Sequence, residues 1–201
     1  MTAIRTRIYL ARHGQVEGHQ EKRYNGHNDV ALTDLGREQS QRLAARLAAE
    51  HIVATYSSDL SRCVYAARQI AALHGHAPVS VLQLRELHIG EWEAKPWQQL
   101  MTEYPAQWQA RLDDIVHYPA PGGESLHTMA LRVRAALRQI IERHQGKELV
   151  VVAHGGVNRV ILLDALGAPL DKLFSLGQDY GCLNIIDYYP DGISVVKLLN
   201  G

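Results

Sequence analysis

The chain has 201 residues, 46% of them hydrophobic and 21% charged, which suits a globular domain with a sizeable core. Its 21 Lys and Arg balance 21 Asp and Glu, which argues against nucleic-acid binding through a broad basic surface. Two cysteines, Cys63 and Cys182, are too few for a disulfide framework, and no apolar run suits a signal peptide or a bilayer span. The cytoplasm is therefore the expected compartment.

In chain order, residues 5–12 predict a first strand around Ile8-Tyr9-Leu10-Ala11, ending in Arg12-His13-Gly14. Residues 33–50 predict a helix through Leu35, Leu43 and Leu47. Ala54–Ser57 predicts a short strand and Ser61–Leu73 a helix. Val79–Leu84 is strand-like. Residues 96–113, with Pro96, Trp97, Tyr104, Pro105 and Trp108, predict short helices inside an insertion at about 91–123. Residues 124–144 carry Leu126, Met129, Val133, Leu137 and Ile140 at helical spacing.

Leu149-Val150-Val151-Val152, within Glu148–Ala153, predicts a strand buried on both faces. His154-Gly155-Gly156 then opens a helix to Leu166. Two last strands, near 182–189 and 193–199, flank the hairpin signal Pro190-Asp191-Gly192. Strands alternating with helices predict a three-layer α/β/α sandwich with a mostly parallel central sheet, an antiparallel edge and a helical insertion over the active site. No repeat or linker divides residues 1–201, so a single domain is expected.

Chemistry-bearing residues gather at predicted strand ends, where open α/β sheets bind ligands. Arg12-His13-Gly14 and His154-Gly155-Gly156 both follow buried strands. If those strands are neighbours, two imidazoles meet at one sheet edge. Arginine offers bidentate donors to phosphate or carboxylate. Histidine can serve as base, acid, nucleophile or metal ligand. Amides of the helix after Gly155 add partial positive charge.

Ser57-Ser58-Asp59-Leu60-Ser61-Arg62 sets Arg62 in a first helical turn, where a cation opposes the helix dipole unless it faces an anion. A surface pair with Asp59 is the plain alternative. Glu86 follows the strand-like run and can orient an imidazole or lend a proton to a leaving group, if it is not simply solvated. Together, two arginines suit a dianion such as a phosphomonoester, one histidine suits attack, and a carboxylate and a second histidine remain for proton transfer and charge stabilisation.

At nearly full length the chain resembles the histidine phosphatase superfamily, the phosphoglycerate mutase-like group. The motifs in order are Arg12-His13-Gly14, Leu32-Thr33-Asp34-Leu35-Gly36, Ser57 through Arg62, Glu86 through Glu93, Pro121 through Ser125, and His154-Gly155. The resemblance implies that His13 is the nucleophile and becomes phosphorylated, with Arg12, Arg62 and His154 holding the phosphoryl oxygens. Glu86 matches the donor to the leaving oxygen, and later the base that activates water. Asn25, before Gly26, stands where a longer Gln or a Thr meets the phosphate. His19 stands where the family often has an Asn near the phosphate. Gly26 and Gly155 complete the expected substrate-binding set. Ala94 replaces the glycine common after Trp-Glu.

Competing readings are weaker. The 11 histidines show no His-x-x-x-His, His-Glu-x-x-His or Cys/His ligand spacing, so no metal and no cofactor are expected. A cysteine phosphatase needs an Arg where Gln69 and Tyr188 stand. A non-catalytic phosphate-binding module would normally dispense with His13 or Glu86. A cofactor-dependent mutase-type phosphotransferase is the alternative within the family, but mutases usually carry Asn where this chain has Gly156. The Glu86 segment is similar to the phosphatase branch, including α-ribazole-phosphate and broad-specificity phosphatases. The expected partner is a small phosphorylated metabolite, without nucleic acid or membrane, and a homodimer is left open by the terminal hairpin edge. Trp92, Trp97, Tyr104, Trp108 and Tyr118 either wall the leaving group or pack the insertion, and packing is expected for Trp97 and Trp108.

Overall fold

The computed structural model describes residues 4–201. Among them one sheet contains β1 (Thr6–Arg12), β2 (Ile52–Ser57), β3 (Val79–Ser80), β4 (Glu148–Ala153), β5 (Leu183–Tyr188) and β6 (Ser194–Leu198). Their spatial order is β3-β2-β4-β1-β5-β6. The first four in that order run parallel, while β5 and β6 pair antiparallel on the β1 side. The helices are α1 (Asp34–Leu47), α2 (Ser61–Leu73), α3 (Trp97–Glu103), α4 (Pro105–Asp113), α5 (Leu126–Arg143) and α6 (Gly155–Leu166).

The period-2 alternation of β1 and β4 splits the core in two. Ile8, Leu10, Leu149, Val151 and Ala153 join Met129, Val133, Ile161 and Trp92 on the face covered by α5, α6 and the insertion. Tyr9, Ala11, Val150 and Val152 join Leu43, Leu47, Ala66 and Ile70 on the face covered by α1 and α2. Each large aliphatic side chain so buried contributes about 1.5–3 kcal/mol. Both central strands thus read as continuous apolar runs because each face has its own helical layer.

Local chemistry starts the helices. Thr33 Oγ1 accepts the Gly36 amide at 3.0 Å and Ser125 Oγ accepts the Thr128 amide at 3.1 Å. Helix α2 has no cap from its own Leu60; instead Asp29 Oδ1 accepts from the Ser61 amide at 2.9 Å and the Ser61 hydroxyl at 2.8 Å. Helix α6 ends at Gly167, whose φ of 65° is left-handed.

Two expectations shift, and one element had not been expected. The strand expected over Val79–Leu84 is two residues long, and Leu82–Leu84 is a 3-10 turn. The cause is the partner: β2 gives way to α2 after Ser57, so its last carbonyl takes the Val81 amide at 2.8 Å and no ladder remains beyond. Helix α1 stops at Leu47 rather than residue 50. A 3-10 stretch at Leu170–Ser175, unmarked by apolar periodicity, packs against α6.

Candidate active site

The register of β1 against β4 brings the two histidines together. Arg12 pairs with Ala153, so the next residues, His13 and His154, leave the sheet side by side, and the His13 amide donates to the Ala153 carbonyl at 3.1 Å. Their ring centroids lie 5.1 Å apart, edge to face. His13 Nδ1 donates to the Gly14 carbonyl at 2.8 Å. That bond fixes the proton on Nδ1 and leaves Nε2 with its lone pair. Gly14 is obligatory at this bend: a Cβ there would lie 2.1 Å from the Gly36 carbonyl oxygen, where the loop crosses α1.

Arg12 and Arg62 flank the pair. Arg62, 2% exposed, donates to the Asn28 carbonyl at 2.8 Å and the Gly26 carbonyl at 2.9 Å, with Asp29 3.9 Å away. Arg12 donates to the Gln178 carbonyl, lies 3.9 Å over the Tyr180 ring, and keeps a buried Nε without a partner. Burial, followed by the charges of Arg12 and Arg62, lowers the His13 pKa well below its ordinary range. Burial, followed by Arg62, His13 and Arg12, does the same to His154. Both imidazoles are therefore neutral in the free site. Cys63 Sγ lies 3.5 Å from His154 Nε2 and donates to the Ala153 carbonyl, with burial pushing its thiol pKa up.

Glu86 faces this group from a different element. Its Oε2 accepts the Gly156 amide in the first turn of α6 at 2.9 Å, and its Oε1 accepts the Leu87 amide at 2.9 Å. Its own carbonyl is held by His27 Nε2 at 2.9 Å and by Arg132 Nη2 at 2.9 Å. Arg132 also donates to the carbonyls of Gln83 and Arg85 and pairs with Glu124. Glu86 follows the 3-10 turn rather than a strand, so the expectation that every site residue follows a strand is corrected here.

A cavity of about 400 Å³ opens over these side chains, lined by Arg12, His13, Asn25, Gly26, Arg62, Glu86, His154 and Gly155 among others. His19 departs from expectation: it is exposed and is not part of this lining, because the loop from Val16 turns it outward.

The sequence profile of the histidine phosphatase superfamily (branch 1) matches residues 8–201. The chain belongs to that superfamily. It is similar to phosphoglycerate mutase-like protein 4 of Arabidopsis thaliana, 39% identical over 76% of this chain and 67% of that protein. It is also similar to the adenosylcobalamin/alpha-ribazole phosphatase of Escherichia coli strain K12, 28% identical over 90% of this chain and 89% of that one. Among solved structures, the alpha-ribazole phosphatase from Shigella flexneri matches with a TM-score of 0.89 at 26% identity, covering 97% of this chain and 96% of that one.

This histidine phosphatase domain also draws on residues that sequence reasoning passed over. Arg23, Arg111, Arg159 and Tyr180 line the cavity, so five arginines share its lining with one carboxylate, Glu86. Arg111 sits in the insertion and Arg159 one turn into α6, and neither belongs to a short motif. Arg132 is likewise silent in sequence, since its partners are backbone carbonyls distant along the chain. Trp97 packs on Tyr24 and Trp108 as expected, and it also lines the cavity.

Proposed function

We propose that this protein hydrolyses phosphomonoesters through a phosphohistidine formed on His13. The observation that carries the reading is the His13 Nδ1 bond to Gly14 inside a pocket that keeps the ring neutral. Nε2 attacks phosphorus, and the leaving oxygen departs with a proton from Glu86. Water then loses a proton to Glu86, attacks the phosphoryl group and restores neutral His13. Arg12, Arg62 and His154 hold the phosphoryl oxygens as charge moves onto them, with Asn25, Gly26 and Gly155 on the surrounding wall. Phosphoryl transfer asks mainly for such positioning and charge stabilisation.

Hydrolysis rather than transfer to a second hydroxyl is favoured by Gly156, where mutases of the family usually carry Asn, and by the likeness to phosphatases. Metal independence is supported by chemistry complete in protein side chains and by likeness to a metal-independent phosphoserine phosphatase of Arabidopsis thaliana, 35% identical over 79% of this chain. The substrate is a small phosphorylated metabolite, with α-ribazole phosphate the leading choice and a broad range of small esters the next, and the cytoplasm is its site of action. No helix among the described residues is long and apolar enough to cross a membrane.

The decisive experiment quenches turnover in base and looks for acid-labile phosphate on His13, with a strong chelator present throughout. Labelling that is lost in His13→Ala supports the reading. Full hydrolysis by His13→Ala, or activity abolished by the chelator, overturns it.

A further inference from the structure

His27 is half-buried beside the catalytic cavity and is not part of its lining. Its backbone belongs to the turn that grips Arg62. The carbonyls on either side of it, those of Gly26 and Asn28, accept Arg62 Nη2 at 2.9 Å and Nη1 at 2.8 Å. The Asn28 amide closes the turn on the Asn25 carbonyl at 2.9 Å. Glu93 Oε1 takes the His27 amide at 2.8 Å, so the turn is also pinned from the insertion.

The His27 side chain fastens a second group. Its Nε2 lies 2.9 Å from the Glu86 carbonyl, and because a carbonyl only accepts, Nε2 carries the proton and donates it. The His88 ring packs against the His27 ring with centroids 4.8 Å apart, which limits its swing. Arg132 Nη2 reaches the same carbonyl at 2.9 Å from α5, but its other partners are Gln83, Arg85 and Glu124, none of which belongs to the Arg62 turn. His27 thus joins two halves of the chemistry. Its backbone holds the cation for the phosphoryl oxygens, and its ring holds the residue that exchanges the proton. Phosphoryl transfer rewards such fixed geometry between charge and acid.

We propose that His27 is a positioning residue that ties Glu86 to the Arg62 turn and so sets where the acid stands relative to the bound phosphoryl group. It touches no substrate and acts through Glu86. This rests on the phosphatase reading and adds to it the residue that aligns the proton donor.

The test uses the leaving group. An alkyl phosphate expels a strongly basic oxygen that needs the proton, whereas 4-nitrophenyl phosphate expels a weakly basic one that leaves nearly unaided. For each ester, kcat/KM reports formation of the phosphohistidine. His27→Leu is expected to lower kcat/KM for a simple alkyl phosphate about tenfold, less than a full misplacement costs because Arg132 still holds the carbonyl. For 4-nitrophenyl phosphate the change should stay within about twofold, the spread of a neutral substitution. The ratio of the two is taken on one preparation, so any unfolded fraction cancels. His27→Gln, whose side-chain amide donates at similar reach, should return the ratio to within about twofold of the unmodified protein. In a Glu86→Gln background, His27→Leu should cost the alkyl ester no more than about twofold further, because the group it acts through is already gone. An unchanged ratio in His27→Leu, no rescue by His27→Gln, or a full further loss on top of Glu86→Gln overturns the positioning role alone. Hydrolysis of neither ester by the unmodified protein overturns the phosphatase reading and this one with it.

Discussion

The amide of Gly156 donates to Oε2 of Glu86 at 2.9 Å, and the missing side chain of Gly156 is what makes room for that carboxylate. A Cβ on Gly156 would stand 2.3 Å from Glu86 Oε1. The first turn of α6 therefore holds both His154 and the group proposed to exchange protons with the leaving oxygen.

Gly156→Ala should displace Glu86, because the end of a flexible side chain yields more readily than backbone. Alanine also favours the helix by about 0.5–1 kcal/mol. The expected outcome is a fall in kcat of about 100-fold, the low end of a general acid's contribution, with Tm unchanged or raised. Steady-state kinetics beside thermal melts check this; a lowered Tm with kcat intact would refute it.

Arg132 gathers the carbonyls of Gln83, Arg85 and Glu86 and the carboxylate of Glu124. Burial alone would push the Glu124 pKa up, but the Arg132 hydrogen bonds and the His88 amide outweigh it and hold it low. Arg132→Met strands these acceptors and should cost about 2–4 kcal/mol in urea denaturation. Because the Glu86 backbone is released, kcat should fall while KM for phosphate esters changes little. Equal loss in both parameters would assign Arg132 to substrate binding instead.

Ala94 has a φ of 63°, a left-handed conformation that favours glycine, and it is exposed with its amide bonded to the Tyr24 carbonyl. Ala94→Gly relieves that strain against a smaller entropic loss. A gain of about 0.5 kcal/mol, or about 1–2 °C in Tm, is expected with kcat unchanged. A drop in Tm would show that the loop does not hold Ala94 in this conformation.

The depressed histidines set an acid sensitivity. His13 and His154 take up protons in the folded protein only well below the ordinary 6.5, whereas the unfolded chain does so at 6.5. Below that pH the unfolded chain binds more protons, so stability falls as pH drops from 6.5 toward the folded-state values. Each histidine adds a slope approaching about 1.4 kcal/mol per pH unit. His27, His74 and His144, also lowered mainly by burial, add to the same slope, while Asp59, Glu124 and Asp187, held below their ordinary 3.8–4.5, add little above pH 5. A bound dianion such as tungstate raises the His154 pKa and should flatten the slope. Urea denaturation between pH 5 and 7, with and without tungstate, measures both effects; an unchanged slope would place the oxyanion away from His154.

What was legible in the sequence shares one property: its partners are close along the chain or follow from periodicity. The apolar runs Ile8–Ala11 and Leu149–Val152 specify strands with two buried faces. Gly14 follows His13 directly, so the imidazole that faces the cavity and the carbonyl that fixes its tautomer are neighbours in sequence. Thr33 and Ser125 cap their own helices within three residues. Whether His19 meets the cavity was not legible, because a loop has no periodicity that says which way a side chain turns.

The tertiary structure alone decided the rest. The β1–β4 register, with Arg12 opposite Ala153, placed two imidazoles 141 residues apart within 5.1 Å. Other crossings of the chain brought Arg132 under Glu86, Tyr180 against Arg12, and Arg111 from the insertion to the cavity wall. Hydrogen bonds, stacking and desolvation act over a few ångströms, and for these residues that proximity comes from the crossing of strands, helices and insertion rather than from spacing along the chain.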